Sequence, residues 1–229
     1  MIDWKDDDEL FGIMRSVLYT AVVGDILDKM GYCHQFLPQT IRPMRDDFVL
    51  AGRAMTVLEA DVAPDHTNGH NPMLKKSFGL MLEALDDLKK NEVYLCSGAS
   101  LSYALIGEIM CTRMKYLGAA GAVANGFHRD TAGILKLDFP AFSCGAYAQD
   151  QAPRGKVVDY RIPIEVGGVK VNPGDIVMGD YDGVLVVPRE LEREVITRAY
   201  EKATGEKRVG KEIKAGMSAT EAFTKYGIM

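Results

Sequence analysis

Between residues 93 and 144 the chain repeats one pattern: a short apolar run, an irregular connection, then a helix shut by a breaker. Residues 93–96 form the first run. Ser97-Gly98-Ala99-Ser100 opens the connection, and a helical stretch from about residue 107 to 117 closes at Gly118. Ala122-Val123-Ala124 is the second run. Residues 125–129 make its turn, Asp130 stands at the N-cap position of a helix through Leu137, and Pro140 ends that helix. Residues 141–144 are a third strand. Consecutive strand–turn–helix units require neighbouring parallel strands joined by right-handed crossovers. Ligands in such sheets sit at the carboxyl ends of the strands, beside helix N-termini. The pattern therefore predicts that Glu108, early in the first helix, meets Arg129 and Asp130 in the second turn, although twenty residues separate Glu108 from Arg129.

The flanking segments complete the expected architecture. Residues 8–30 read as one or two helices. Thr20 caps the second piece, Val22, Val23, Ile26, Leu27 and Met30 are its apolar positions, and Gly31 follows as the residue past its end. Residues 48–62 read as extended, with an alternation that changes phase, and a bulge at Gly52-Arg53 accounts for the change. Residues 63–71 hold Pro64 and Gly69 and read as loop. Residues 72–90 read as one amphipathic helix with Leu74, Phe78, Met81, Leu82 and Leu85 inward. Residues 157–187 are rich in valine, isoleucine and glycine. Turns at Gly167-Gly168, Asn172-Pro173-Gly174-Asp175 and Asp180-Tyr181-Asp182-Gly183 divide them into short, mostly antiparallel strands. From Arg189 the chain is helical again, and Ser218-Ala219-Thr220-Glu221 is a capping box for a last short helix. The expectation is one α/β domain over residues 1–229, with a parallel-containing sheet, a second mainly antiparallel sheet, covering helices, and helical segments at both ends.

Composition narrows the function classes. With 47% hydrophobic and 26% charged residues, the 229-residue chain is an ordinary globular sequence with material for a sizeable core. A net charge of −5 and the lack of a basic stripe with interleaved aromatics argue against a nucleic-acid partner. The acidic start, Met-Ile-Asp-Trp-Lys-Asp-Asp-Asp, does not read as a signal peptide, and no apolar run approaches membrane-spanning length. Cys33, Cys96, Cys111 and Cys144 are scattered without CxxC spacing, as expected of reduced thiols in a cytoplasmic protein.

The chemistry concentrates at Glu108, Arg129 and Asp130. A guanidinium clamps a carboxylate through two parallel hydrogen bonds, and an aspartate anchors Mg²⁺ or Mn²⁺ through oxygen. The amides of Gly107, Glu108, Ile109 and Met110, at a helix start, suit a substrate carboxylate or enolate oxygen. The bland alternative is that Asp130 only caps its helix and Arg129 only makes a surface ion pair. Other candidates are weaker. His66 and His70 read as loop histidines, and His128 as a solvent-facing imidazole. Residues 205–211 spell G-x-x-x-x-G-K, but Glu212 stands where Ser or Thr is required and no strand precedes them. Asp180-Tyr181-Asp182-Gly183 matches only part of a calcium loop and reads as a hairpin turn. Lys115 and Lys136 read as solvated, which disfavours a Schiff-base mechanism.

Gly107-Glu108, Gly118, Gly121 and Asn125-Gly126-Phe127-His128-Arg129-Asp130 resemble the RraA-like family. So do Phe139-Pro140-Ala141-Phe142, Gly167-Gly168-Val169, Pro173-Gly174-Asp175 and the run Gly179-Asp180-Tyr181-Asp182-Gly183-Val184. The ordered match runs from about Thr20 to the C-terminal helices. The family includes divalent-metal pyruvate aldolases that cleave 4-hydroxy-4-methyl-2-oxoglutarate or 4-carboxy-4-hydroxy-2-oxoadipate and decarboxylate oxaloacetate, and also proteins that inhibit ribonuclease E. The resemblance implies a β/β/α swivelling-domain-like fold, a homotrimer or hexamer, Arg129 on the pyruvyl carboxylate, Asp130 on the metal, and backbone amides of residues 107–110 on the substrate. It also implies a C-terminal glutamate from a neighbouring subunit, for which Glu206 is the candidate by spacing. The chain departs from the characterised aldolases at Glu108, where they carry aspartate, and the longer arm moves the carboxylate by about one methylene.

The resulting expectation is a metal-dependent lyase that takes a 4-hydroxy-2-oxo acid to pyruvate, with oxaloacetate decarboxylation as a further activity of the same site. Arg129 orients the acid, Asp130 holds Mg²⁺ or Mn²⁺, and Glu108 relays protons through a water. The alternative is a non-enzymatic module that inhibits a ribonuclease by protein contact.

Overall fold

The computed structural model describes residues 2–63 and 70–227. The readings placed on Pro64, His66 and Gly69 lie outside the described residues. The N-terminal segment forms two helices, α1 (Asp7–Val17) and α2 (Thr20–Lys29), and Gly31 follows α2 with φ 88°. The strands that carry the architecture are β1 (Arg42–Pro43), β2 (Leu50–Asp61), β3 (Glu92–Ser97), β5 (Gly121–Ala124) and β7 (Ala141–Ser143). The helices between them are α3 (Met81–Asp87), α4 (Glu108–Tyr116) and α5 (Thr131–Lys136). Two very short strands, β4 (Ala104–Ile106) and β6 (Phe127–His128), pair in parallel just before α4 and α5. The second half contributes β8 (Gly155–Tyr160), β9 (Ile164–Val166), β10 (Val169–Val171), β11 (Ile176–Asp180) and β12 (Gly183–Val187), then α6 (Glu192–Lys214) and α7 (Ala219–Tyr226).

The main sheet has the order β1-β7-β5-β3-β2-β11-β12, with β8 on the far half of β2. Strands β2, β3, β5 and β7 are mutually parallel, as the repeated units require, and β11, β12, β8 and β1 run antiparallel to their neighbours. The separate antiparallel sheet is the β9–β10 hairpin, and the other late strands extend the main sheet. The sheet curls until its ends nearly meet: Arg42 of β1 donates to the carbonyls of Tyr181 and Asp182 in the β11–β12 turn, at 3.2 and 2.7 Å.

Curling gives three apolar layers. Period-2 alternation sends Val93 and Leu95 of β3 inside the curl, with Val123, Phe142, Val177 and Val186. Tyr94 and Cys96 face outward under α3, α4 and α5. On the opposite flank Ile176, Met178, Leu185 and Val187 pack beneath α1, α2 and α6.

Several local expectations are corrected. The helix expected over residues 72–90 is a 3₁₀ turn at Pro72–Lys75 and then α3, broken at Gly79, which has φ 64° and bridges to Val157. The break turns Leu82 outward, 58% exposed. No bulge sits at Gly52-Arg53, where β2 pairs regularly with β11. The register shift falls at Leu58/Glu59 against β8. Strand β2 is buried on both faces over much of its length, so alternation there carries no phase information. Thr20 does not cap α2: Tyr19 is the N-cap residue, and Asp180 from the β11–β12 turn accepts from Thr20 N–H at 2.7 Å and Thr20 Oγ1 at 2.7 Å. The capping box at Ser218 and Glu221 is present, and residues 205–211 lie within α6.

Candidate active site

The site is built by two parallel strand ends and the two helices that leave them. Strand β4 leads through Gly107 into α4, and strand β6 leads through Arg129 and Asp130 into α5. The backbone locks these turns together. Arg129 N–H donates to Ile106 O at 3.0 Å, and His128 N–H donates to Gly145 O at 2.9 Å.

Asp130 holds the N-cap position of α5, as expected, yet it does not cap that helix. Its backbone is left-handed (φ 58°, ψ 36°), and its side chain makes no bond to the amides of α5. Such a conformation is uncommon outside glycine and is best tolerated by Asn and Asp. It turns the carboxylate across to the other helix, where Oδ2 accepts from Glu108 N–H at 3.3 Å. Gly107 makes the approach feasible. A Cβ there would lie 2.9 Å from Asp130 Oδ2 and 3.4 Å from Arg129 Cγ. The reading of Asp130 as a plain helix cap is therefore excluded.

The start of α4 is open. Its N-cap residue is Gly107, which offers no side-chain acceptor. Among the described residues, the amides of Ile109 and Met110 have no protein acceptor. Free first-turn amides and the positive end of the helix dipole favour an anion at this point.

Arg129 is half-buried between two carboxylates, with Nη1 3.2 Å from Asp150 Oδ1 and Nε 3.8 Å from Asp130 Oδ2. Arg129, Asp130, Gly107, Ile109 and Met110 all border one cavity of about 510 Å³, and Asp150 and Gln151 also line it. A second, shallower cavity of about 330 Å³ touches the other side of Arg129-Asp130 and is bounded by residues 146–148. The side chains expected at the site thus meet at one mouth, with one exception. The exposed carboxylate of Glu108 lies over α5, where a Cβ on Gly133 would come within 2.1 Å of its Oε2. What Glu108 presents to Asp130 here is its backbone amide.

His128 is corrected. It is not solvent-facing but 5% exposed, with Nδ1 2.6 Å from Ser143 Oγ and Nε2 3.0 Å from Thr131 Oγ1. Burial holds its pKa below the usual histidine value. A neutral imidazole so placed ties β7 to the first residue of α5 and fixes the turn that carries Arg129. His70 is exposed. Glu206 lies on α6, where Tyr19 Oη donates to it and Lys202 Nζ stands 3.4 Å away; burial raises its pKa.

Sequence reasoning missed Asp150, Gln151 and Glu59. The first two lie in a loop without a motif. Glu59 did carry a signal, a carboxylate inside an apolar strand run, and buried charge is among the most informative features of a chain. It is 2% exposed, Oε2 accepts from Gln151 Nε2 at 2.7 Å, and Oε1 and the nearby Tyr94 hydroxyl are buried without a partner among the described residues. Burial pushes the Glu59 carboxyl up to about 8.

The donor set bears on a metal. Among the described residues no group of three or more His, Cys, Asp or Glu side chains converges as a metal centre. Softer ions that demand a closed nitrogen or sulfur cage do not fit. A hard cation that keeps most of its waters and takes one or two carboxylates does fit Asp130, whose carboxylate is about half exposed and engaged only by a long bond and a distant guanidinium.

No single helix among the described residues is long and apolar enough to cross a membrane, and all four cysteines are free thiols.

Comparison with known proteins gives the family and the fold. The RraA-like family model, Aldolase/RraA, matches residues 20–186. A Halalkalibacterium halodurans protein provisionally named a 4-hydroxy-4-methyl-2-oxoglutarate aldolase is 28% identical over 204 residues, which is 89% of each chain. A solved structure described among novel cellulases from gut-associated microbes is 32% identical, with TM-score 0.78 over 91% of this chain and 90% of its own. RraAS2 of Streptomyces coelicolor, described as an unusual member of the RNase ES inhibitor RraA protein family, shares the fold at 21% identity and TM-score 0.74, over 90% of this chain and 98% of its own.

Proposed function

Because this chain belongs to the RraA-like family, we propose that Arg129, Asp130 and the open start of α4 form the active site of a divalent-metal-dependent lyase that cleaves a 4-hydroxy-2-oxo acid to pyruvate. One observation carries the reading: Asp130 takes a left-handed backbone and forgoes capping its own helix. Unusual backbone kept at a cavity mouth costs roughly 1–3 kcal/mol and is characteristic of functional sites.

In this reading Arg129 binds the 2-oxo acid carboxylate, exchanging its contact with Asp150 for a bidentate one. The free amides of Ile109 and Met110 take the oxygen on which negative charge develops. Asp130 holds Mg²⁺ or Mn²⁺, with Glu108 beside it. When bound there, the cation supplies Lewis acidity to the 2-keto group. The C4 hydroxyl gives up its proton and C4 becomes the carbonyl of the released fragment. The electron pair of the C3–C4 bond passes to C3, giving the enolate of pyruvate, which is then protonated at C3. Glu108 carries these protons, for which its carboxylate swings from Gly133 toward the cavity mouth. Oxaloacetate decarboxylation uses the same enolate and belongs to the same proposal. So does assembly into a trimer or hexamer, in which a second copy supplies Glu206.

A lactate-dehydrogenase-coupled assay tests the reading on 4-hydroxy-2-oxo acids and oxaloacetate, with and without Mg²⁺ or Mn²⁺. Metal-dependent pyruvate release that EDTA abolishes is expected. Undiminished release in excess EDTA would refute the metal mechanism, and no release from any of these acids would refute the lyase.

A further inference from the structure

Beyond Arg129 the cavity changes character. Phe78, Met81, Leu82, Leu85, Leu105 and Ile109 form a continuous apolar wall from α3 across β4 to the first turn of α4. Leu82 and Ile109 are 58% and 85% exposed, so the wall reaches the mouth. The charged residues on the lining are two arginines, Arg113 and Arg129, against three aspartates, Asp86, Asp130 and Asp150. Arg113 is committed to Asp86, with Nε 2.9 Å and Nη2 2.8 Å from Oδ1. Among the described residues, no unpaired cation faces this wall.

We propose that the wall is a substrate-tail subsite, so that the acid taken by this protein carries one carboxylate, held at Arg129, and an apolar substituent, alkyl or aryl, on the C4 side. The proposal rests on Arg129 as the carboxylate clamp. A second carboxylate on the tail would lose its hydration against leucine and methionine without a cation to replace it. An apolar tail gains from the same surface with each CH₂ it buries. The volume suits a small acid with a tail of several carbons. The tail is uninvolved in the bond changes, so the electron and proton accounting above is unaltered. The released fragment is an apolar aldehyde instead of a second oxo acid.

Binding and cleavage are measured separately. Isothermal titration calorimetry with Mg²⁺ present compares pyruvate, 2-oxoglutarate and 2-oxo-4-phenylbutanoate on the wild-type protein and on Leu82→Lys, a change at an exposed position that places a cation on the wall. The phenyl acid is expected to bind at least about tenfold more tightly than either of the others. In Leu82→Lys that preference over 2-oxoglutarate should shrink to about threefold or less while pyruvate binding stays put. Equal or tighter binding of 2-oxoglutarate by the wild type overturns the subsite. So does a phenyl acid that gains nothing over pyruvate, the result expected if a second copy of the chain covers the wall, and so does the absence of binding by all three. The coupled assay on 4-hydroxy-2-oxo-4-phenylbutanoate and 4-hydroxy-2-oxoglutarate is the other arm. If the binding order holds and neither acid is cleaved, the lyase falls and the subsite stands. If both are cleaved with the carboxylate substrate preferred in kcat/KM, the subsite falls and the lyase stands.

Discussion

Two aspartates beside helix starts, Asp180 and Asp130, divide the molecule into a part that holds it together and a part left free to act. Asp180 comes from the β11–β12 turn and is fully engaged. Its oxygens accept from Thr20 N–H, Thr20 Oγ1 and Asp182 N–H, at 2.7, 2.7 and 2.9 Å, and so pin α2 to the sheet over a buried apolar layer. Asp130 stands one position before α5, where capping would be the ordinary outcome, and declines it. Among the described residues its carboxylate accepts a single long hydrogen bond, from the start of the preceding helix, and it borders a cavity. Residue type is the same, so the difference lies in position, in backbone conformation and in what the neighbouring elements bring near. An aspartate whose lone pairs are used up stabilises; one whose lone pairs stay available can bind.

The largest expected effect follows from removing that availability. Asp130→Asn keeps a residue that tolerates the left-handed backbone and removes the charge. We expect kcat/KM for pyruvate release to fall by about 10³, near 4 kcal/mol of transition-state stabilisation, with the thermal midpoint moved by less than about 2 °C. A variant that keeps its activity while its thermal midpoint falls would place Asp130 with Asp180, as a structural residue.

Glu59 is a third kind of carboxylate, neither cap nor open ligand, and its effect comes next in size. Its folded pKa of about 8 lies above the ordinary value of 4.5. The folded protein therefore binds more protons than the unfolded chain between those values, and stability is lost as pH rises from 4.5 through 8. Between pH 6 and pH 9 the loss should be about 3 kcal/mol. Glu59→Gln keeps the shape and cannot ionise. Denaturant unfolding of both proteins across that range should give curves that diverge by this amount; parallel curves would mean that Glu59 is ionised in the folded state. Gln151, which Glu59 holds, adjoins Asp150, the partner of Arg129, so alkaline loss of activity should also be steeper in the wild type.

The parallel sheet was legible because its evidence is local. Apolar runs of three or four residues, each followed by a helix and a breaker at Gly118 or Pro140, permit little else. The approach of Arg129 and Asp130 to the start of α4 followed from that topology, but the Glu108 carboxylate, expected beside them, lies over α5. What escaped depended on distant partners. His128 looks solvent-facing until β7 delivers Ser143 to its ring, and Asp150 becomes part of the site only because the chain returns some twenty residues after Arg129. The α3 region misled through helical periodicity, which holds from Leu74 to Leu85 while Gly79 breaks the helix between them. The N-cap position of Asp130 was readable, but the direction of its carboxylate was not, since that needs the backbone angle and the missing Cβ of Gly107.

That missing Cβ provides a smaller test. Gly107 has extended dihedrals that any residue can adopt, so alanine costs it no backbone strain. The penalty is contact alone, 2.9 Å to Asp130 Oδ2. Gly107→Ala should displace the carboxylate by a few tenths of an ångström or more and lower kcat/KM by about thirtyfold, near 2 kcal/mol, in the coupled assay. An unchanged rate would show that the position of Asp130 against α4 does not matter to the chemistry.

The smallest effect belongs to the engaged aspartate. Asp180→Ala removes three acceptor contacts at once; Asp182 is exposed, where water replaces what is lost, but Thr20 is fully buried and its N–H and hydroxyl lose their acceptor without water to replace it. The cost should lie in the upper half of the range for a lost helix cap, about 1–2 kcal/mol, or a fall of roughly 2–8 °C in Tm for a chain of this length. Because α2 packs on the flank of the sheet opposite α4 and α5, kcat/KM should stay within about twofold of wild type. Thermal unfolding and the coupled assay on one preparation decide it. If activity falls in step with stability, the two flanks are mechanically coupled, and the division of labour between the two aspartates is one of degree; if only Tm moves, the capped flank is scaffold and the uncapped one is the working part.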